Sequence, residues 1–284
     1  MPPSVAAADP LDFAETVAVP QARARIGSAA LRFATAAWWV VAVAGQLLFA
    51  FYIVMFYARS ALAGRPEAWN AVVKGAYEPG DTVGNLVFAS HLVFALAVVA
   101  GGALQLVPRI RSRWPAVHRW NGRVFATAGV IAALGGLFMV WSHPKPEQFV
   151  QHLGISLDAV LILVFAFLAV RAARARRYDV HRRWALRLFL AVGGVWFFRI
   201  GLMAWIVANQ GPAGFDPKTF SGPFLSFLAF AQYLVPLALL ELYLCAQRGS
   251  ARVQLAMAFG LGAATLVMAG GIAAAGAILW LPRI

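Results

Sequence analysis

The stretch "LVFASHLVFALAVVAGGALQLV" at residues 86–107 contains no aspartate, glutamate, lysine or arginine in 22 residues. An α-helix needs about 20 consecutive apolar residues to cross the hydrocarbon core of a bilayer. The run is continuous and lacks the two-residue alternation that is typical of a strand in a membrane barrel. It therefore predicts a transmembrane helix that carries one histidine, His91, within its length.

Six similar runs occur in the rest of the chain, which is 62% hydrophobic and 12% charged over 284 residues. A soluble domain of this size does not bury so much apolar surface. We therefore predict an all-α integral membrane protein with seven transmembrane helices, at residues 33–57, 86–107, 120–141, 149–170, 184–207, 224–244 and 257–281. Residues 1–30 are polar and lack the apolar core of a signal peptide, which predicts a flexible cytoplasmic tail before a single transmembrane domain at 31–284.

The net charge of +13 is distributed unevenly between alternate loops. Residues 108–119 carry four arginines and no acid, and residues 171–187 carry seven arginines against Asp179, whereas the intervening loops are nearly balanced. Basic loops stay on the cytoplasmic side, so the pattern predicts an N-terminus inside and a C-terminus outside. It indicates a multi-pass membrane protein whose basic loops contact lipid headgroups, and it does not favour nucleic-acid binding.

A sequence repeat links four of the five histidines. "VHRWNGRVF" at 117–125 returns as "VHRRWALRLF" at 180–189, and each copy follows another histidine, with 27 residues from His91 to His118 and 29 from His152 to His181. Spans two to five therefore predict a duplicated helical hairpin that packs as a four-helix bundle over residues 85–207. In that bundle His91 faces His152 near the outer surface, and His118 faces His181 near the inner surface.

Opposed histidines on facing helices suit the two axial positions of a b-type haem iron. The four histidines are therefore candidate metal ligands for two haems b. Arg123 and Arg187 lie near the inner pair and Arg199 near the outer pair, as candidate partners for the haem propionates. Since an arginine at the depth of Arg199 needs an anion, either a bound carboxylate or Asp158 is expected beside it.

Several glycine pairs fall within the predicted bundle. They would let a flat macrocycle approach the backbone, although close helix packing uses the same residues. The pairs are Gly101 with Gly102, Gly135 with Gly136, and Gly193 with Gly194.

The segment "HLVFALAVVAGGALQLVPRIRSRWPAVHRWNGRVF", followed by "QHLGISLD" and "DVHRRWALR", resembles the bacterial membrane proteins of domain of unknown function 2306. The shared features over about residues 85–207 are His91, the turn after Gln105, the H-R-x-x-G-R element from His118 to Arg123, and the second H-R at His181. The histidine layout is also similar to that of the diheme cytochrome b-561 group. That resemblance implies an outer haem between His91 and His152 and an inner haem between His118 and His181. The intervals here are shorter, and no segment matches an ascorbate site.

Three functions are compatible with these features. The leading hypothesis is a two-haem transmembrane electron carrier, which would act as a transmembrane oxidoreductase if it exchanges electrons with a quinone or another unidentified donor and acceptor. The alternative is a haem-free transporter, or a sensor of a small ligand or metal, with a polar pocket at Arg199, Asp158 and Glu241. The third is a structural subunit whose histidines are ordinary interfacial side chains. The Gly- and Ala-rich last span suits packing against the bundle or against a second copy in a homodimer.

Overall fold

The computed structural model describes the backbone of residues 10–142 and 144–284, and the side chains of residues 25–142 and 144–284. His143, predicted as an ordinary residue of an outer loop, lies outside the described residues. Within the described part the chain is helical, and the only strand-like feature there is an isolated bridge between Asp216 and Ser221. The all-α prediction is confirmed for these residues.

Ten α-helices follow one another along the described chain. They are α1 (Pro10–Tyr52), α2 (Arg59–Leu62), α3 (Thr82–Gln105), α4 (Pro108–Arg113), α5 (Pro115–Ser142), α6 (Phe149–Arg174), α7 (Tyr178–Val192), α8 (Gly194–Ala208), α9 (Pro223–Ala246) and α10 (Ala251–Ala274). Two π-helical segments, Ile53–Ala58 and Ala275–Trp280, continue α1 and α10. Short 3₁₀ turns occupy Pro66–Ala71, Pro146–Gln148 and Leu281–Arg283.

The helix starts follow local chemistry. The Asp81 side chain accepts a hydrogen bond from the Gly84 amide at 2.9 Å, which caps the first turn of α3. Proline opens α4, α5 and α9, where its missing N–H costs nothing. Helix α1 begins at Pro10, within the segment predicted as a tail, and the flexibility of residues 1–30 stays a prediction.

Six helices are long and apolar enough to cross a membrane, and they correspond to six of the seven predicted spans. The fifth predicted span, 184–207, is not one continuous helix. It consists of α7 and α8, which meet at Gly193 with a bend of 51°, and counting the pair as one span gives seven. At Gly193 the amide bonds to the Leu190 carbonyl three residues back, so the regular ladder is interrupted at a glycine.

The chain divides into two compact units. The smaller unit contains the described residues up to Val40 together with Glu241–Leu266. In it α1 packs closely on the start of α10, since a Cβ added at Gly27 would lie 2.9 Å from the Ala251 carbonyl oxygen. The single-domain prediction for residues 31–284 stays a prediction.

The larger unit comprises Val41–Leu240 and Val267–Ile284. In it α3 packs against α5, α5 against α6, and α6 against α7, so each predicted hairpin is formed. The α3–α5 hairpin is joined by two hydrogen bonds, from Asn121 Nδ2 to the Gly101 carbonyl at 2.8 Å and from Gln105 Nε2 to the His118 carbonyl at 2.9 Å.

Candidate functional site

His91 lies on α3 and is oriented by the neighbouring helix α5. Its Nδ1 is 3.0 Å from the carbonyl oxygen of Ala132. A carbonyl only accepts hydrogen bonds, so Nδ1 carries the proton and the neutral ring keeps its lone pair on Nε2. The ring lies against Gly135 and Gly136, where an added Cβ would be 3.8 Å from it. This glycine pair therefore lets side chains of α3, among them the His91 imidazole, come close to the backbone of α5.

His181 on α7 is oriented in the same way from α6. Its Nδ1 is 2.9 Å from the carbonyl oxygen of Ala169. The same argument places a proton on Nδ1, so a neutral ring would have its lone pair on Nε2. Metal-binding histidines commonly donate the proton of the second nitrogen to a carbonyl or carboxylate, which fixes both tautomer and ring orientation.

His118 and His152 have no such anchor. The Nδ1 atom of each is buried and has no hydrogen-bond partner among the described residues. His152 is 6% exposed, and its ring packs edge-on against Trp141 of α5, with 5.8 Å between ring centroids. Each predicted pair thus contains one imidazole held by a backbone carbonyl and one with an unpartnered buried nitrogen.

The contacts separate the two histidines of each hairpin along the helix axis. On α5, fourteen residues separate His118 from Ala132, the contact of His91, which is about 21 Å at 1.5 Å per residue. On α6, seventeen residues separate His152 from Ala169, the contact of His181, or about 25 Å.

The two predicted pairs differ in how directly they are brought together. His118 lies within electrostatic range of His181. His91 and His152 both contact α5, but at different positions, with His91 at Ala132 and His152 at Trp141. These two positions are nine residues, or about 14 Å, apart along α5, so the contacts alone do not join the predicted outer pair.

The arginines named as propionate partners near the inner level contact tryptophans. Arg123 lies over the ring of Trp120 at 4.7 Å, and Arg187 lies over the ring of Trp184 at 4.5 Å. The same i, i+3 pair thus recurs in both copies of the repeat. The propionate role of Arg123 and Arg187 stays a prediction.

Arg199 lies in the middle of α8. Its guanidinium carbon is 5.2 Å from the centroid of the Phe49 ring, and it is within electrostatic range of His91. Among the described residues no carboxylate forms an ion pair with it. Of the two partners expected for Arg199, Asp158 is therefore not observed beside it.

Asp158 has different neighbours. It is 7% exposed, its Oδ1 has no hydrogen-bond partner among the described residues, and its Oδ2 lies against Gly194 at the start of α8. Gln232 of α9 also approaches Gly194. Glu241, the third member of the alternative pocket, is exposed and belongs to the smaller unit. The alternative pocket at Arg199, Asp158 and Glu241 stays a prediction.

The remaining glycines of the predicted bundle are covered by protein side chains. A Cβ at Gly102 would lie 3.0 Å from the ring of Phe189, and one at Gly101 would lie 3.2 Å from Asn121. These positions serve close helix packing, as the alternative explanation predicted. Gln105 likewise joins two helices, since its Nε2 donates to the His118 carbonyl.

Sequence analysis missed an aromatic cluster that the structure forms in the larger unit. Tyr52, Tyr57 and Trp280 are 0%, 2% and 0% exposed. Tyr52 contacts Tyr57 and Trp280 at ring-centroid distances of 5.8 and 6.4 Å, and the polar atom of each has no hydrogen-bond partner among the described residues. Aromatic residues near span ends are typical of an interfacial belt, which is how the sequence pattern is interpreted. Tyr57 and Trp280 are also far apart in the sequence, so no local pattern predicts that they are buried together.

Comparison with known proteins places the chain in a family. No curated protein matches it, and no solved structure does. A family model described as "Predicted membrane protein (DUF2306)" matches residues 88–235, slightly more than half of the chain, and includes His91, His118, His152 and His181. The chain therefore belongs to the DUF2306 family of predicted membrane proteins.

Proposed function

We propose that this protein is a transmembrane electron carrier that holds two haems b, with His91 and His152 at the outer site and His118 and His181 at the inner site. The observation that carries the proposal is the pair of contacts from His91 Nδ1 to the Ala132 carbonyl and from His181 Nδ1 to the Ala169 carbonyl. Each contact leaves Nε2 as the lone-pair nitrogen, which is the atom that an axial ligand offers to iron.

The unpartnered nitrogens of the other two histidines support the same proposal. Leaving a buried polar atom without a partner costs about 1–3 kcal/mol, and a metal bound at that atom would remove the cost. His118 and His152 each carry one, and each belongs to a predicted pair whose other member is anchored. These residues therefore fit a haem with two histidine ligands.

The separation of the two histidines within each hairpin supports electron transfer across the membrane. A separation of about 21–25 Å along α5 and α6 covers most of the roughly 30 Å hydrocarbon core. When bound, haem would supply reversible one-electron redox chemistry. The protein would hold each ring by its histidines, balance propionate charge with Arg123, Arg187 and Arg199, and exclude water with the apolar helices.

The charge of the loops supports the orientation of this carrier. The basic loops favour an N-terminus inside and a C-terminus outside a bacterial inner membrane, with spans two to five forming a four-helix bundle. The donor and acceptor are proposed to act from opposite faces, with a quinone as one candidate. A homodimer through the Gly- and Ala-rich α10 is part of the same proposal.

An optical spectrum tests the proposal directly. Protein expressed with ample haem should give red membranes and a b-type spectrum on dithionite reduction. His91→Ala and His152→Ala should remove the same spectral component, and His118→Ala and His181→Ala the other. His143→Ala, which changes the one histidine outside both pairs, should leave both components in place. A folded but colourless preparation would refute the proposal.

A second candidate function, a proton- or cation-coupled transporter, is favoured by the broken fifth span. Transporters often bind ions where a membrane helix is interrupted, and here the buried carboxyl of Asp158 lies at Gly194, where α8 begins. In that case Asp158→Asn should abolish ion-dependent uptake into proteoliposomes, while the histidine variants retain it. A b-type spectrum that the histidine variants lose would decide for the electron carrier.

A further inference from the structure

The aromatic cluster of Tyr52, Tyr57 and Trp280 presents hydrogen-bond donors without acceptors. The two phenol hydroxyls and the indole N–H are fully buried, and none has a partner among the described residues. Burying such groups unpaired costs free energy, and inside a membrane no water is at hand to satisfy them. A cluster of three such groups therefore indicates that a group rich in acceptors belongs beside them.

Arg199 adds a positive charge to this cluster. Its guanidinium stacks on Phe49, whose ring is 5.3 Å from that of Trp280. It also approaches Tyr57 Oη, and Tyr57 Oη approaches Tyr52 Oη, in neither case with the geometry of a hydrogen bond. A cation at this depth is costly unless an anion compensates it, and the described residues provide Arg199 with no acidic partner.

The backbone that presents these side chains is itself unusual. Tyr57 lies in the π-helical segment Ile53–Ala58 that follows Tyr52, and Trp280 ends the π-helical segment Ala275–Trp280. Single π turns inside α-helices occur frequently at functional sites. Trp69 supports the first of them, because its Nε1 donates to the Tyr57 carbonyl at 3.1 Å. Two of the three residues of the cluster, Tyr57 and Trp280, thus lie in π-helical segments.

We propose that Tyr52, Tyr57, Trp280 and Arg199 form a binding site for a carboxylate. A carboxylate has two acceptor oxygens and a single negative charge, which matches one guanidinium and a set of neutral donors. A phosphate dianion would leave charge uncompensated. The carboxylate has two possible sources: a propionate of a haem held at His91, which is within electrostatic range of Arg199, or a free monocarboxylate from the membrane. The first source rests on the proposed function, and the second does not.

The test compares ligands with and without a free carboxylate on the full chain, purified in detergent from haem-deficient cells. The probes are haem, haem dimethyl ester, laurate and methyl laurate, followed by absorbance titration for the haems and by thermal shift for the lipids. A propionate site predicts that haem binds at least about tenfold more tightly than its ester. A free-carboxylate site predicts that laurate, but not methyl laurate, stabilises the protein.

Variants of the cluster residues then test whether this cluster causes the preference for a free carboxylate. Tyr52→Phe and Tyr57→Phe each remove only a hydroxyl and should weaken carboxylate binding about three- to tenfold. Arg199→Gln should weaken it by about thirtyfold or more, and Arg199→Lys, which keeps the charge, should recover part of that loss. Tyr233→Phe is the matched control, because Tyr233 is also 0% exposed with an unpartnered Oη.

The outcomes separate this proposal from the electron-carrier proposal. If haem does not bind but laurate does, and the tyrosine variants reduce its effect, the carboxylate site stands and the haem proposal fails. If haem binds and its ester binds equally well, and laurate has no effect, the carboxylate site is overturned while the haem proposal stands. The carboxylate site would also be overturned if Tyr233→Phe and Tyr57→Phe weakened carboxylate binding equally. A variant that no longer folds is replaced in the comparison by the other tyrosine variant.

Discussion

Gly271→Ala provides a sharp test of the packing between α8 and α10. A Cβ at Gly271 would lie 2.6 Å from the carbonyl oxygen of Ile200 and 3.1 Å from its carbonyl carbon. These are backbone atoms, so relief requires a shift of one helix against the other and not a change of rotamer. Overpacking of this kind costs about 1–3 kcal/mol. The affected residue of α8 is next to Arg199, so the shift would also disturb the proposed carboxylate site.

The neighbouring glycine supplies the control. Gly270 is exposed, and a Cβ there meets nothing within 4 Å. Both substitutions gain the same helix propensity, up to about 1 kcal/mol, so the difference between the two variants isolates the steric term. We expect Gly270→Ala to melt at or above the wild-type temperature and Gly271→Ala to melt several degrees below Gly270→Ala, at about 2–4 °C per kcal/mol. Melting followed by circular dichroism in detergent measures this, and indistinguishable melting of the two variants would refute the described packing.

Three further stability predictions use the same assay. Asn121→Ala should destabilise the protein by about 0.6 kcal/mol, because it removes the bond to the Gly101 carbonyl between α3 and α5; an unchanged melting temperature would mean that this bond does not form. Trp69→Phe should cost about 1 kcal/mol, because the Tyr57 carbonyl loses its indole donor, and a stabilised variant would contradict the geometry of that turn. Tyr233→Phe should leave stability unchanged or raise it by about 1 kcal/mol, since its buried hydroxyl has no partner among the described residues; a clear loss would reveal a hydrogen bond there.

The fifth span shows where sequence reasoning stops. Its composition predicts a transmembrane segment, and that part is correct when α7 and α8 are taken together. The break at Gly193 was not predicted, because glycine pairs also occur at Gly101 and Gly135, where the helices continue without interruption. What differs at Gly193 is the surroundings, with the carboxyl of Asp158 against Gly194. That neighbour comes from a different helix, and no local pattern reports it.

The sequence indicated the residue types of the candidate site but not their contacts. The repeat identified His91 and His181, yet the carbonyls that orient them belong to Ala132 and Ala169, which carry no chemical signature. The sequence likewise indicated that Arg199 needs an anion. It offered Asp158 as a partner, which the structure places elsewhere, beside Gly194.

By itself the sequence determined that this is a helical membrane protein and where its long apolar segments lie, and it predicted a duplicated hairpin. These properties depend on hydrophobicity summed over about 20 residues, so they survive without knowledge of neighbours. Only the tertiary structure decided which buried polar groups are paired: the anchored His91 and His181, the unpartnered Asp158, and the donor cluster around Tyr57. Whether two polar groups pair depends on distances of a few ångströms between segments that are far apart in the sequence. Hydropathy along the chain does not report those distances.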